Sequence, residues 1–363
     1  MAEPMLPEPP ARAPADASGA RHRSFRRRIT QVLTRPGTGG PSIATPLLCE
    51  HPRARFEPHF TARDYITGSE FMVGYCHECR LHVTWPPPTE DALASFYPPA
   101  YYGSGRRFAV AVERLLEGLY TYRAHHIEQR QTPGKVLDVG CGRGLLLSRL
   151  RSRGWDTIGT ELSEEAAAHA RHLGLPVLTG KLEEIGFPNG EFDMVILWHV
   201  LEHVRAPRAM LQEVARILKP GGTLLVAVPN FASLEARMSG PGWFHLDVPR
   251  HLTHFTPRSL RDVLDQAGLS VFDVNFFSTE YDFFSYVQST QNRLGLPQNL
   301  LYNLLRTRSA KFARRGRGQA TLLQIALTLA TAPLLAAASV VYAPVVAALG
   351  RGATIAAYAR KRP

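Results

Sequence analysis

The sequence predicts an α/β fold, a mostly parallel sheet with helices on both faces. Three observations carry that expectation. A short apolar strand, Lys135–Val139, runs straight into a glycine turn, Gly140-Cys141-Gly142-Arg143-Gly144, and then into helical residues Leu145–Leu150. A second strand, Asp156–Glu161, ends on a carboxylate 17 residues after Gly144. Strand-sized and helix-sized apolar segments then alternate, the order that builds βαβ units. Glycine has no Cβ, so a ligand can press against the turn. The helix behind the turn offers unpaired amides. Together they point to nucleotide binding at the carboxyl edge of the sheet. A dinucleotide fingerprint needs its third glycine three residues after the second. Leu145 stands there, which argues against a nicotinamide or flavin.

Composition sets the frame around that core. A chain of 363 residues is long enough for one main domain with appendages. Lys+Arg 42 against Asp+Glu 31 gives a net charge of +11. The excess is clustered, at Arg21–Arg28 and at 306–317, and such clusters suit anionic lipid or nucleic acid. Four cysteines, two of them as Cys76-x-x-Cys79, fit a reducing compartment and a metal better than a disulfide framework. The N-terminal stretch has no continuous apolar run, so no secretory signal is expected.

In chain order, residues 1–45 are rich in Pro, Ala, Gly and Arg without periodicity and are expected to be a disordered basic tail. Residues 46–103 are expected to form a small Cys-containing module. Structural zinc takes four N/S ligands, which Cys49, His51, Cys76 and Cys79 would supply; the alternative is a metal-free module packed by Phe71, Tyr75 and Trp85. Val112, Leu115, Leu116 and Leu119 recur at helical spacing and predict a lead-in helix over 108–130. After the second strand, Ser163 is placed to cap a helix. Val177-Leu178 reads as a third strand, and Phe192–Trp198, entered from Pro188-Asn189-Gly190, as a fourth. Pro220-Gly221-Gly222 turns the chain into a fifth strand, Thr223–Val228. Thr256-Pro257 starts a helix, and Leu269–Phe277 reads as a sixth strand.

The Asp138-x-Gly140-x-Gly142-x-Gly144 turn resembles motif I of the class I S-adenosylmethionine-dependent methyltransferases. Leu197-Trp198-His199-Val200-Leu201-Glu202-His203-Val204 resembles the segment after the fourth strand in their small-molecule subgroup. The resemblance runs from Val136 to Ala267. It implies a Rossmann-like seven-stranded sheet whose last strand is antiparallel, for which Ala353–Ala359 is the candidate. It also implies S-adenosyl-L-methionine as cofactor, held by Asp138, Gly140, Cys141, Gly142 and Gly144. Glu161 and Leu162 would lie at the ribose, Lys181 and Leu182 along the adenine, and Trp198 and His199 beside them. Residues 46–103 are similar to the zinc-binding region that precedes some methyltransferases acting on sugars. Cys76-His77-Glu78-Cys79 matches its second cysteine pair; the first pair is broken after Cys49.

Methyl transfer to oxygen or carbon needs a base near working pH. The stretch Pro241–Thr256 follows the fifth strand, where substrate loops belong. Its His245, His251 and His254, with Asp247, are the candidate catalytic residues, and His199 is the next. His203 is another candidate base, though the Glu202-His203 pair can equally cap locally. Residues 320–350 carry no charged side chain, and basic residues flank them on both sides. With Pro333 and Pro344 interrupting the run, a re-entrant hairpin on the cytoplasmic face of an anionic membrane is expected. The expected function is therefore methyl transfer to a small-molecule or lipid-linked acceptor such as a sugar or glycan. A nucleic-acid-binding methyltransferase or a non-catalytic adaptor is the alternative. Aromatic residues are not interleaved with the basic clusters, which argues against nucleic acid.

Overall fold

The structure is a computed structural model, and it describes residues 55–97, 110–305 and 320–362. The N-terminal tail, Cys49, His51 and the basic run at 306–317 lie outside the described residues. In chain order the elements are β1 (Phe56–Arg63), β2 (Glu70–Cys76), β3 (Leu81–Trp85), α1 (Glu90–Ser95), α2 (Val110–Glu128), β4 (Lys135–Val139), α3 (Leu145–Arg151) and β5 (Asp156–Glu161). Next come α4 (Glu164–His172), β6 (Val177–Thr179), α5 (Leu182–Ile185), β7 (Phe192–Trp198), α6 (Pro207–Ile217), β8 (Leu218–Pro229) and α7 (Leu234–Ser239). The rest are β9 (Thr253–His254), α8 (Pro257–Gln266), β10 (Leu269–Asn275), α9 (Asp282–Arg293), α10 (Leu300–Leu305), α11 (Leu322–Ala348) and β11 (Thr354–Lys361).

Seven strands form the main sheet in the order β10-β11-β8-β7-β4-β5-β6. The pairs among β4 to β8 are parallel, and β11 is antiparallel to both β8 and β10. The expected last strand is thus present. Its Ala356, Ala357 and Ala359 are buried. β7 reads as a nearly continuous apolar run because a central parallel strand is covered on both faces. One face packs Val136, Met194, Ile196 and Tyr358 against Ala124 and Ile127 of α2 and Leu146 and Leu150 of α3. Strand order reverses about β4, whose neighbours β5 and β7 lie on opposite sides. The crevice at the carboxyl ends of β4 and β7 is therefore the place for a ligand.

Residues 55–97 are not a free-standing module. β1, β2 and β3 form an antiparallel sheet whose fourth strand is β9, from the loop after β8. His254 lies opposite His82 and Thr253 opposite Val83. The N-terminal segment therefore braces the loop that carries the candidate histidines.

The 320–350 segment also differs from expectation. It is one continuous helix with Pro333 and Pro344 inside it, and no hairpin. Thr321 and Gln324 close a capping box at its start. Residues 324, 325, 328, 331, 332, 335, 339, 342, 343, 346 and 347 are the protected ones, a stripe at helical spacing. That stripe meets α9: Gln291 Nε2 donates to the Thr328 carbonyl at 2.8 Å, and the Tyr286 and Tyr342 rings lie 4.3 Å apart. Both prolines are exposed on the other side. There the rings do not meet α9, and the fixed φ of proline is already helical.

Candidate active site

The turn after β4 gives its glycines different work. A Cβ on Gly140 would strike Val200 at 2.8 Å, and one on Gly144 would strike Leu175 and Ala170. Those two allow close packing. Gly142 has φ +54, and a Cβ there would meet nothing within 4 Å, so its face is open to a ligand. The Cys141 side chain turns inward onto the cluster of Leu147, Ala167 and Ala170. Glu161 sits at the end of β5 and ties the turn down. Its Oε2 accepts from the Gly142 amide at 2.8 Å, and its Oε1 accepts from the Leu162 and Ser163 amides. A carboxylate has about four acceptor sites, so capacity remains for a ribose hydroxyl. Leu162 is exposed beside it, Lys181 precedes α5 and is half exposed, and Leu182 is buried. All the expected cofactor residues therefore lie on the carboxyl side of β4, β5, β6 and β7.

Arg123 of α2 also enters this edge. Its guanidinium lies 3.5 Å from the centre of the Trp198 ring and pairs with Glu280. Arg123 is buried, and burial pushes its pKa down. Asp138 lies nearby. Burial raises its carboxyl to about 7, the Glu161 charge adds to this, and Arg123 opposes it. Nothing in the spacing of the lead-in helix marks Arg123, because only packing brings it to the edge.

Past β7 the chain makes a strained turn. His199 has φ +53, an uncommon conformation for a side chain other than glycine. Leu201–His203 then form a single 3-10 turn. Glu202 is not a local cap. Its Oε1 lies 3.0 Å from His199 Nδ1, and its Oε2 is buried without a hydrogen-bond partner among the described residues. Burial alone would raise the Glu202 carboxyl; the bond to His199 and the nearby histidines outweigh it and hold the group down at about 2. The ionised carboxylate fixes a proton on His199 Nδ1. His199 Nε2 is then an acceptor, and it too lacks a partner among the described residues. Tyr281 packs 4.5 Å from the His199 ring, and His245 stacks 6.2 Å from it.

The loop histidines separate into two groups. His245 and His251 belong with His199, Glu202 and His203; the His203 and His251 rings are 4.6 Å apart. Burial lowers His245 to about 3 and His251 to about 4, with neighbouring histidines adding to it, so both are neutral near pH 7. His254 is held away in β9. Thr84 Oγ1 donates to the His251 carbonyl, so His254 Nε2 donates to Thr84 Oγ1 at 3.0 Å. Cys76, buried, and Cys79 flank the turn between β2 and β3.

Arg250, fully buried, organises the loop. Its Nη2 donates to Asp64 Oδ1 at 2.8 Å and to Asp247 Oδ1 at 2.6 Å, and its Nη1 donates to the Phe96 carbonyl at 3.3 Å. The Arg250 carbonyl accepts from His203 Nδ1 at 3.0 Å. The Asp247-x-x-Arg250 spacing hints at the local half of this pair; Asp64 is reached only through the fold.

A family model described as "Methyltransferase domain" matches residues 109–274. Among curated relatives, a probable S-adenosylmethionine-dependent methyltransferase of Mycolicibacterium smegmatis is 28% identical over 172 residues, 44% of this chain and 65% of that protein. The chain thus matches just under two thirds of that relative's length. A ubiquinone biosynthesis O-methyltransferase of Xanthomonas axonopodis pv. citri is 30% identical over 178 residues, 45% of this chain and 74% of that protein. Among solved structures, a SAM-dependent methyltransferase of Thermotoga maritima, titled a possible histamine N-methyltransferase, is 26% identical with a TM-score of 0.40. It covers 47% of this chain and 83% of its own.

Proposed function

Because this chain belongs to the class I S-adenosylmethionine-dependent methyltransferases, we propose that it transfers the donor's methyl group to a hydroxyl of a small lipid-linked or sugar-bearing acceptor at an anionic membrane surface. The observation that carries the chemistry is the His199–Glu202 pair, bonded at 3.0 Å immediately after the strand that ends at Trp198. Gly142 and Glu161 would hold the turn and ribose of the donor. Arg123 offers a cation at the same edge for the donor's carboxylate. His199 Nε2 takes the acceptor proton, and Glu202 stabilises the imidazolium that forms. His245 and Tyr281 pack against the His199 ring. His251 positions the loop, and His254 anchors it to the small sheet. Alignment of donor and acceptor supplies much of the rate, up to about 7–11 kcal/mol.

The membrane part of the reading rests on α11. Residues 322–348 carry no charged side chain, yet only 11% of the helix's most apolar stretch is buried. A helix apolar all round belongs in a core or in lipid, and this one has a single stripe covered. Leu322, Leu323, Leu334 and Val341 are strongly exposed. At 27 residues it is about 40 Å long, enough to cross about 30 Å of hydrocarbon. Its contacts with α9 at Thr328 and Tyr342 are about 21 Å apart along the axis, and β11 follows at once. These tie it along the domain and favour a helix lying in the plane of the interface, apolar face down. Arg351 and Arg360, both exposed, follow it and suit anionic headgroups, at about 1 kcal/mol each near the surface.

The test is methyl transfer from labelled donor to lipid extracts and nucleotide sugars, with and without phosphatidylglycerol vesicles. His199→Ala should lower turnover by about 10²–10⁴ with donor affinity unchanged. Leu334→Lys with Val341→Lys should abolish vesicle flotation but leave donor binding intact. A fully active His199→Ala protein refutes the base, and wild-type protein that does not float with vesicles refutes the membrane placement.

A further inference from the structure

Beside the His199–Glu202 pair, the ligand atoms of Glu202, His203 and His251 all lie within 4.8 Å of one another. The hydrogen bonds around them fix the chemistry of each group. A backbone carbonyl can only accept. His203 Nδ1 lies 3.0 Å from both the Arg250 carbonyl and the Tyr97 hydroxyl; with Tyr97 donating to that same carbonyl at 3.5 Å, Nδ1 carries the proton, and His251 Nδ1 carries its own toward the His245 carbonyl at 2.8 Å. Each imidazole in its neutral form then keeps a lone pair on Nε2. This is the tautomer of metal-binding histidines, whose other N–H is held by a carbonyl or carboxylate. Glu202 is 1% exposed, and its Oε2 has no hydrogen-bond partner among the described residues. Its Oε1 takes the His199 proton, so the carboxylate is oriented as ligating carboxylates are. A buried carboxylate oxygen left without a partner is costly unless a cation joins it.

We propose that Glu202, His203 and His251 form a binding site for a divalent transition-metal ion, with two imidazole nitrogens and one carboxylate as donors. Imidazole and carboxylate together suit zinc, cobalt, manganese or ferrous iron, and three protein donors leave positions open, as in catalytic sites. The arrangement holds whether or not His199 is the base. If the acceptor is a hydroxyl, the ion acts as a Lewis acid that makes that hydroxyl easier to deprotonate.

The experiment uses the full chain, stripped with chelator and reloaded with Zn²⁺ or Co²⁺, with metal content read by mass spectrometry. A Cys76→Ser/Cys79→Ser protein removes any contribution from the cysteine turn. It should still take up about one ion per chain. Its Co²⁺ form should absorb as a nitrogen and oxygen site, without thiolate charge transfer. In that background, His203→Gln and Glu202→Gln should weaken Zn²⁺ binding at least about tenfold, with circular dichroism and donor affinity unchanged. Absence of bound metal in the Cys76→Ser/Cys79→Ser protein overturns the proposal. So does full retention of metal by folded His203→Gln and Glu202→Gln variants. If either variant misfolds, the Co²⁺ spectrum decides, since it reads the site with every proposed ligand in place.

Discussion

Replacing Arg250 tests how the loop is held. Arg250→Met keeps much of the volume and removes the cation. Asp64 and Asp247 are then left as buried carboxylates, with side chains 0% and 15% exposed. They do not lose equally. Asp64 still accepts from the Ile66 and Thr67 amides and from Thr67 Oγ1. Asp247 loses both of its Arg250 bonds, and only its slight exposure offers water in their place. Breaking one partner of a buried pair costs about 3–5 kcal/mol, because the charge left behind is uncompensated. For a fold of this size that corresponds to a fall in Tm of about 10 °C. Asp64→Asn keeps an acceptor for the turn and loses one charge-assisted bond, about 1.5–3 kcal/mol. In the double variant, Arg250→Met no longer strands the Asp64 charge, so the two losses should fall short of their sum by about 1–3 kcal/mol. Urea denaturation of the four proteins, followed by circular dichroism and tryptophan fluorescence, gives these values. An Arg250→Met loss below about 1 kcal/mol, or strict additivity with Asp64→Asn, would show that the ion group does not hold the loop.

Gly142→Val and Glu161→Ala should each weaken S-adenosylmethionine binding, Glu161→Ala by about tenfold to a hundredfold for the loss of charge-assisted bonds; calorimetry showing unchanged affinity in both folded proteins removes the donor site from this turn. Burial raises the Asp282 carboxyl to about 8, against the bonds it accepts from Ser278 and Thr354. Because its folded pKa lies above the unfolded one, the unfolded chain loses this proton first, and stability should fall as pH rises from about 4 to about 8, by no more than about 5 kcal/mol. The start of α9 favours the anion and trims that loss. Asp282→Asn should flatten the dependence, and an unchanged slope in urea titrations across that range places the titration elsewhere.

The parts of the molecule that were legible in the sequence are those whose signal is local. Lys135–Val139 and Phe192–Trp198 announce themselves because central parallel strands are apolar on both faces. The glycine turn and Glu161 sit at fixed spacing along the chain, and so does the Ser163 cap. Where the outcome depended on packing, local signals misled. Pro333 and Pro344 suggested a hairpin, since a proline inside a helix costs about 3 kcal/mol. The Thr321 cap, the long apolar run and the stripe on α9 outweigh that, and both prolines face away from the packed side. β9 is two residues long and becomes a strand only because β3 presents an edge to it. Asp64 shows why the site was harder to read than the fold. In sequence it belongs to the turn Asp64-Tyr65-Ile66-Thr67-Gly68, where its carboxylate accepts from the next amides as a turn aspartate does. That local role accounts for the residue fully, so nothing asks for a second. Yet the same Oδ1 that accepts from Ile66 also accepts from Arg250, 186 positions along the chain. One ordinary turn residue thereby fixes the side chain of Arg250, whose backbone carbonyl orients His203. The small sheet earns its place in the molecule through that bond, by holding the loop histidines against the carboxyl edge of the main one.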